Sequence, residues 1–218
     1  MNIIEDRKIF QKSRKTYESA LVQFRGADGF DVYNCSIPFQ WLGKSYIFGR
    51  VEKREDFASS ATMLFERIGP DEYAAVKSSM IYPLEDPYVS FVHGELILGG
   101  THVRKSRGKL DAFHGYFYRG NRPEWMTLFT SGPENMKDIR LVELADGRVG
   151  VFTRPRGSHV EEVYGSEAVI GFTVIDTIDQ LDAETIEKAP IIPGLFDRGE
   201  WGGCNQCYLL NDGRVGVI

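Results

Sequence analysis

Residues 145–152 read ADGRVGVF, and residues 211–218 read NDGRVGVI. In each, Asp-Gly joins two apolar runs, and glycine can take the positive φ that a tight hairpin turn requires. Two further segments fit the same frame: CSIPFQWLGKSYIFGR at 35–50 and DPYVSFVHGELILGG at 86–100. The turn glycines are Gly43, Gly94, Gly147 and Gly213, separated by 51, 53 and 66 residues. A repeat of ~40–50 residues carrying a four-stranded sheet is the period of a β-propeller blade. The intervals supply the other strands: 60–68 and 72–78 after the first hairpin, 112–119 and 125–130 after the second, 168–178 after the third. The expected fold is an all-β propeller with units at 28–78, 79–130, 131–180 and 181–218. Only 5–18 and 182–188 read as short helices. Pro38 and Pro87 lie in or just before first strands, where a missing N–H suits the edge position of an innermost strand. The fourth hairpin stops in mid-strand at Ile218. Three and a half units do not close a ring, so a longer natural polypeptide is expected, the alternative being a strand supplied by a partner or tail.

Composition agrees with many turns joining aromatic-rich strands: of 218 residues, 23 are Gly, 9 Pro, 14 Phe and 10 Tyr. No apolar run approaches the ~18 residues of a membrane span, and the charged N-terminus lacks a secretory signal. A net charge of −5 argues against a general binder of nucleic acid or anionic membranes, both of which need a basic surface. A cytoplasmic location is the default expectation. Cys204 and Cys207 form a C-x-x-C, but no second such pair and no following histidine complete a zinc site, so reduced structural thiols are expected.

The repeat itself places a site. Eight or nine residues before each turn glycine stands a short polar residue: Asn34, Asp86, Asp138 and Asn205. In a propeller these start the innermost strands and ring one mouth of the central channel. Seven or eight residues after the glycine the return strand reaches the same end with Arg50, Thr101 and His102, and Arg154. Polar groups gathered in a concave surface on a rigid scaffold are how such folds build sites. The plain alternative is that these residues form Asx turns and structural ion pairs. Glu85 would point away from Asp86 if the two alternate along a strand. His93 reads as a solvent-facing turn residue, His114 as structural, and His159 as part of a Gly-Ser loop able to reach over a site. GGTH at 99–102 lacks the frame of a phosphate loop, and Ser59 and Ser60 lack a nucleophile elbow. Trp125 reads as core, whereas Trp201 is the better platform for stacking a sugar.

LEDPYVSFVHGELILGGTHV (84–103), KDIRLVELADGRVGVFTRPRG (137–157) and WGGCNQCYLLNDGRVGVI (201–218) resemble the repeats of glycoside hydrolase family 130, the mannoside phosphorylases and their hydrolase relatives. More closely, residues 28–218 resemble the family called domain of unknown function 1861, grouped with them among five-bladed furanosidase-like propellers. The resemblance implies that Asp86, in E-D-P, is the general acid. It implies that Lys137 and Asp138 are the family's K-D pair, that Arg154 and Pro155 end its H-R-P motif, and that Arg50 lies near an arginine contacting substrate or phosphate. Two positions depart from the family: Thr153 replaces the His before Arg-Pro, and Tyr88 replaces the Arg after E-D-P. Both lost residues belong to the family's phosphate-binding surround.

The expected function is therefore an inverting glycosidase or glycoside phosphorylase acting on a mannoside- or furanoside-type carbohydrate. Asp86 would be the acid, with Glu52 or Asp138 as the second carboxylate. Asn34, Arg50, His102, Lys137, Arg154, Trp201 and Asn205 would bind substrate. No cofactor or metal is required, phosphate being a possible co-substrate held by Arg50 and Arg154 through charge-assisted hydrogen bonds. The alternatives are a carbohydrate-binding propeller without turnover and a pure scaffold, in which acids and arginines merely neutralise each other.

Overall fold

The computed structural model describes residues 2–53, 55, 59–107 and 109–218. A first helix, α1 (Ile3–Ser13), precedes β1 (Gln23–Arg25), β2 (Asp31–Tyr33), β3 (Phe39–Trp41), β4 (Lys44–Glu52), β5 (Ala61–Gly69) and β6 (Glu72–Ala75). These strands form the first sheet, ordered β1-β6-β5-β4-β2 with β3 also on β4. The second sheet is a meander of β7 (Glu85–Val92), β8 (Glu95–Ser106), β9 (Lys109–Gly120) and β10 (Thr127–Ser131). The third contains β11 (Arg140–Glu143), β12 (Val149–Thr153) and β13 (Gly171–Ile175), with α2 (Ser158–Tyr164) between the last two and α3 (Ala183–Glu187) after them. A last hairpin pairs β14 (Cys207–Leu209) with β15 (Val215–Val217).

The four sheets follow one another around an axis, as in a propeller. Successive sheets meet through β4 and β7, β7 and β11, and β11 and β14. Two side chains tie this inner ring together: Ser90 Oγ donates to the Leu141 carbonyl at 3.0 Å, and Gln206 Nε2 to that of Val89 at 3.1 Å. The core lies between successive sheets rather than beneath one. Phe48, Leu64, Tyr82, Leu96 and Leu98 fill the space between the first and second. Ile97, Phe117, Leu141, Val149, Val151 and Ile186 fill that between the second and third. Burying a side chain of this size stabilises by roughly 1.5–3 kcal/mol.

The four turn glycines all take left-handed φ, from +77° to +84°, as the Asp-Gly reading required. Several local expectations are corrected. The first helix ends at Ser13, and the N-terminal segment instead lends β1 to the outside of the first sheet, pairing parallel with β6. Phe24 is its anchor, meeting Phe65 edge-on at 4.9 Å; a single apolar residue gives no periodicity to read. His159 lies in α2, not in a loop, because Gly165 takes the left-handed conformation (φ +69°) that caps so short a helix. Trp125 is 60% exposed and is not core.

Pro87 marks a bulge. Glu85 pairs with Thr101 and Tyr88 with Gly99, so two residues of β7 oppose one of β8. Beyond the bulge, the Tyr88 ring lies across Gly99 with the Arg140 guanidinium 4.5 Å from its centroid. A Cβ on Gly99 would come within 2.0 Å of the ring. Gly99→Ala is expected to cost about 1–3 kcal/mol by overpacking, read as a lower urea midpoint at unchanged m-value.

Candidate active site

Three of the four polar residues chosen from the repeat share one unusual backbone state. Asn34, Asp86 and Asp138 have φ of +45°, +49° and +58°. Asn and Asp tolerate this region better than other non-glycine residues. Asn34 and Asp86 are hydrogen-bonded to each other, and Asp138 is paired with Arg154. Asn205, the fourth, is exposed and is held by its own backbone carbonyl, which accepts from Arg140 Nε at 2.6 Å.

Two clusters of opposite charge result. The acidic one is built on Arg50, 8% exposed. Arg50 and Glu52 alternate onto one face of β4, and Glu52 accepts from Arg50 Nη2 at 2.8 Å as well as from Tyr33 and Ser60. Arg50 Nη1 reaches Asp86 Oδ1 at 3.0 Å, and Nη2 reaches Glu85 Oε1 at 3.2 Å. Asn34 Nδ2 also donates to Asp86 Oδ1, at 2.8 Å. One guanidinium thus faces three carboxylates. Glu85 does not point away: the bulge and the left-handed Asp86 break the strict alternation, so both acids face Arg50.

The environments of these acids differ. Burial raises the Glu52 carboxyl, but hydrogen bonds from Ser60, Tyr33 and Arg50 outweigh it and hold the group below the usual carboxylate range. Burial dominates at Glu85 and pushes its carboxyl up, against the pull of Arg50 and Lys137. Arg50 is also affected by burial, which lowers it, but Glu52, Glu85 and Asp86 leave it above the ordinary value.

The basic cluster belongs to the third sheet and the last hairpin. Arg154, 6% exposed, gives Nη1 to Asp138 Oδ2 at 2.5 Å and Nε to the Gly202 carbonyl at 2.9 Å. Its guanidinium lies 5.2 Å from the Trp201 ring centroid, and Trp201 is 54% exposed. Arg140 Nη2 is 3.8 Å from the other oxygen of Asp138. Asp138, Arg140, Arg154, Trp201, Gly203 and Asn205 line an open cavity of about 250 Å³. Lys137 is half-buried beside it, close enough to Glu85 to act on its carboxyl, and makes no ion pair among the described residues.

His102 stands apart from both clusters. It stacks on Tyr116 at 4.5 Å and bonds the Pro83 carbonyl through Nδ1 at 3.0 Å. His93 bridges the second and third hairpins, its backbone N–H donating to Glu143 and its ring reaching the Gly147 carbonyl. The two positions that depart from the family are buried. Tyr88 and Thr153 are buried in the interior, 3% and 1% exposed, and neither hydroxyl has a hydrogen-bond partner among the described residues. Cys35, Cys204 and Cys207 are free. Burial pushes the Cys35 thiol up to about 11, and the hydrogen bond to Cys204, with burial, raises Cys207 further. No group of His, Cys, Asp and Glu among the described residues has the arrangement of a metal site, and no described helix is long and apolar enough to cross a membrane.

Reading the repeat missed Glu85, Arg140, Tyr33 and Ser60. Arg140 carried a signal, since it lies two residues beyond Asp138 in a period-two segment. Tyr33 and Ser60 carried none.

The model of the family described as "Protein of unknown function (DUF1861)" matches residues 8–218. The chain belongs to this family. No curated protein matches it. Among solved structures it is similar to MPT-4, a mannose phosphorylase from Leishmania mexicana in complex with phosphate ion, with 48% identity and a TM-score of 0.91 over 99% of this chain and 65% of that one. It is also similar to MPT-1, a GDP-Man-dependent mannosyltransferase from Leishmania mexicana, with 41% identity and a TM-score of 0.88 over 100% of this chain and 66% of that one. The chain thus spans about two thirds of the length of these relatives. At 10% identity it shares a fold with Zg3597, a family 117 glycoside hydrolase from Zobellia galactanivorans, with a TM-score of 0.52 over 82% of this chain and 60% of that one.

Proposed function

We propose that the mouth is the site of a carbohydrate-active enzyme that cleaves a mannoside-type bond with phosphate as the attacking group and with inversion. The observation that carries this reading is the segregation of charge. Around Arg50 stand Glu52, Glu85 and Asp86; around Asp138 stand Arg140 and Arg154, with Lys137 alongside. A phosphate dianion is repelled by the first group and drawn to the second, so Arg154 and Lys137, not Arg50, are the anion seat. Arg154 Nη2 has no partner among the described residues and is the donor left for a ligand.

Asp86 is the proton donor. Its Oδ1 is occupied by Arg50 and Asn34, leaving Oδ2 to carry the proton into the mouth. The proton passes to the leaving glycosidic oxygen as the sugar C1–O bond breaks, and a phosphate oxygen bonds C1 from the opposite face. Phosphorolysis is favoured over hydrolysis because neither second carboxylate is free to activate water. Glu52 accepts hydrogen bonds from three side chains, and Asp138 is held by Arg154. In this reading Glu52 fixes Arg50, and Trp201 offers the sugar an exposed ring.

Incubation with β-linked and α-linked manno-oligosaccharides, with and without inorganic phosphate, tests this. A mannose 1-phosphate of inverted configuration, formed only when phosphate is present, is the expected product. Free mannose released equally without phosphate would make the protein a hydrolase, and no turnover of any mannoside would leave a binding module. Arg154→Lys keeps the charge but loses the planar fork. It is expected to raise KM for phosphate roughly 10–100-fold, the worth of one charged hydrogen bond, with a much smaller change in KM for the sugar.

A further inference from the structure

Among the described residues, the basic cluster keeps two donors and one acceptor unused. Arg154 commits Nη1 to Asp138 and Nε to the Gly202 carbonyl, which leaves Nη2. Arg140 commits Nε to the Asn205 carbonyl and Nη1 to that of Ile139, which leaves Nη2, 3.8 Å from Asp138 Oδ1. Asp138 gives Oδ2 to Arg154 at 2.5 Å, while its Oδ1 accepts no hydrogen bond among the described residues. All three side chains line the open cavity of about 250 Å³. A carboxylate in a seat for anions is at first sight a defect, because it repels the ligand that the arginines attract.

We propose that Asp138 makes the seat selective for an oxyanion that carries a proton, phosphate over sulfate, by accepting the hydrogen bond of the anion's own O–H at Oδ1. This rests on the anion seat of the proposed reaction, and it adds how the seat tells its ligand from another of the same shape and charge. Sulfate and monohydrogen phosphate are both tetrahedral dianions of nearly equal size, so Arg140, Arg154 and Lys137 attract them alike. They differ in one atom: phosphate keeps at least one proton at neutral pH, and sulfate keeps none. Toward phosphate, Asp138 Oδ1 meets a donor and forms a charge-assisted hydrogen bond. Toward sulfate it meets only a bare oxygen, and two negative charges lie in contact. Specificity is built by that repulsion as much as by the bond. The surroundings hold the carboxylate in place. Arg154 clamps Oδ2, which keeps Oδ1 on the side of Arg140, and Arg140 is itself fixed by two backbone carbonyls and the Tyr88 ring. No bond breaks in this step, and the proton stays on the anion.

Calorimetric titration of the full chain with inorganic phosphate, sulfate and arsenate at pH 7, without any sugar, reads the selectivity directly. Arsenate is larger than phosphate but keeps a proton, so it separates protonation from size. Phosphate and arsenate are expected to bind alike and at least ~100-fold more tightly than sulfate, the combined worth of one charged hydrogen bond and one repulsion avoided. In Asp138→Asn the amide carbonyl keeps the bond from Arg154, while the NH2 brings a donor to the seat. Asn also tolerates the left-handed backbone at this position. The variant is expected to bind sulfate at least ~10-fold more tightly than the wild type, with phosphate and sulfate within about tenfold of each other. A wild type that binds sulfate within about threefold of phosphate overturns the proposal and leaves the anion seat standing. So does an Asp138→Asn protein that keeps the wild-type ratio at an unchanged unfolding midpoint, since Asp138 would then serve only as the ion-pair partner of Arg154. If the variant does not fold, the wild-type ratio alone decides. A wild type that binds none of the three anions removes the seat itself, and the selectivity with it.

Discussion

Asp86→Asn is expected to lower phosphorolysis of an unactivated mannoside by two to four orders of magnitude, the usual contribution of a positioned general acid. The substitution leaves the site folded, because the hydrogen bonds that hold Asp86 run to Oδ1, from Arg50 Nη1 and Asn34 Nδ2, and an amide carbonyl accepts them equally. Only the atom that would carry the proton changes. The loss therefore has a signature: it should shrink sharply for a mannoside with an aryl leaving group, whose oxygen departs without being protonated. KM for phosphate should move little, since the anion seat lies on Arg154 and Lys137. An Asp86→Asn protein within about threefold of wild type on the unactivated substrate would remove Asp86 from the mechanism. An equal loss on both substrates would mean that Asp86 positions the sugar instead of protonating it.

The fold was legible because its signal is repeated. Four glycines with the same flanking pattern occupy turns at φ near +80°, and each leads into a sheet whose first strand borders the next. Asn34, Asp86 and Asp138 were found by their spacing before the turn glycines, and all three take the left-handed backbone that Asn and Asp tolerate. The same three residues were assigned to the site by position alone, and the structure joins Asn34 to Asp86 and Asp138 to Arg154. What escaped depended on local departures from regularity. Glu85 was turned the wrong way because alternation was assumed through a bulge that only the Asp-Pro step signals. The acid–base division of the mouth was invisible as well, since it depends on which carboxylates reach Arg50 and which arginines reach Asp138. Tyr88 and Thr153 are the converse case, placed by motif alone. Matched to phosphate-binding positions by motif, they are interior residues here, and Tyr88 packs beneath Arg140.

Arg50→Met should be the most damaging substitution for stability, at about 3–5 kcal/mol, the range for removing one partner of a buried ionic group. The penalty arises from what stays behind. Glu52, Glu85 and Asp86 stay where they are but lose the guanidinium they share. The pH dependence separates this cause from simple loss of packing. In the wild type, Glu52 sits below its unfolded value, so its stabilisation is present above that value and fades as pH falls. Glu85 sits above its unfolded value, so its contribution is full at low pH and is lost as pH rises through its folded value. The two slopes oppose each other while Arg50 is present. Without Arg50, hydrogen bonds from Ser60 and Tyr33 alone must hold Glu52 down, and burial raises Glu85 with only Lys137 opposing it. The variant should then gain stability as pH falls from 7 to 5, over the range where the wild type changes little or loses. The difference between the two proteins in urea unfolding should narrow by a kcal/mol or more, about one pKa unit in one group. A difference that stays constant across that range would mean that Arg50 stabilises through its packing against Tyr33, 5.1 Å from that ring, and not through its charge.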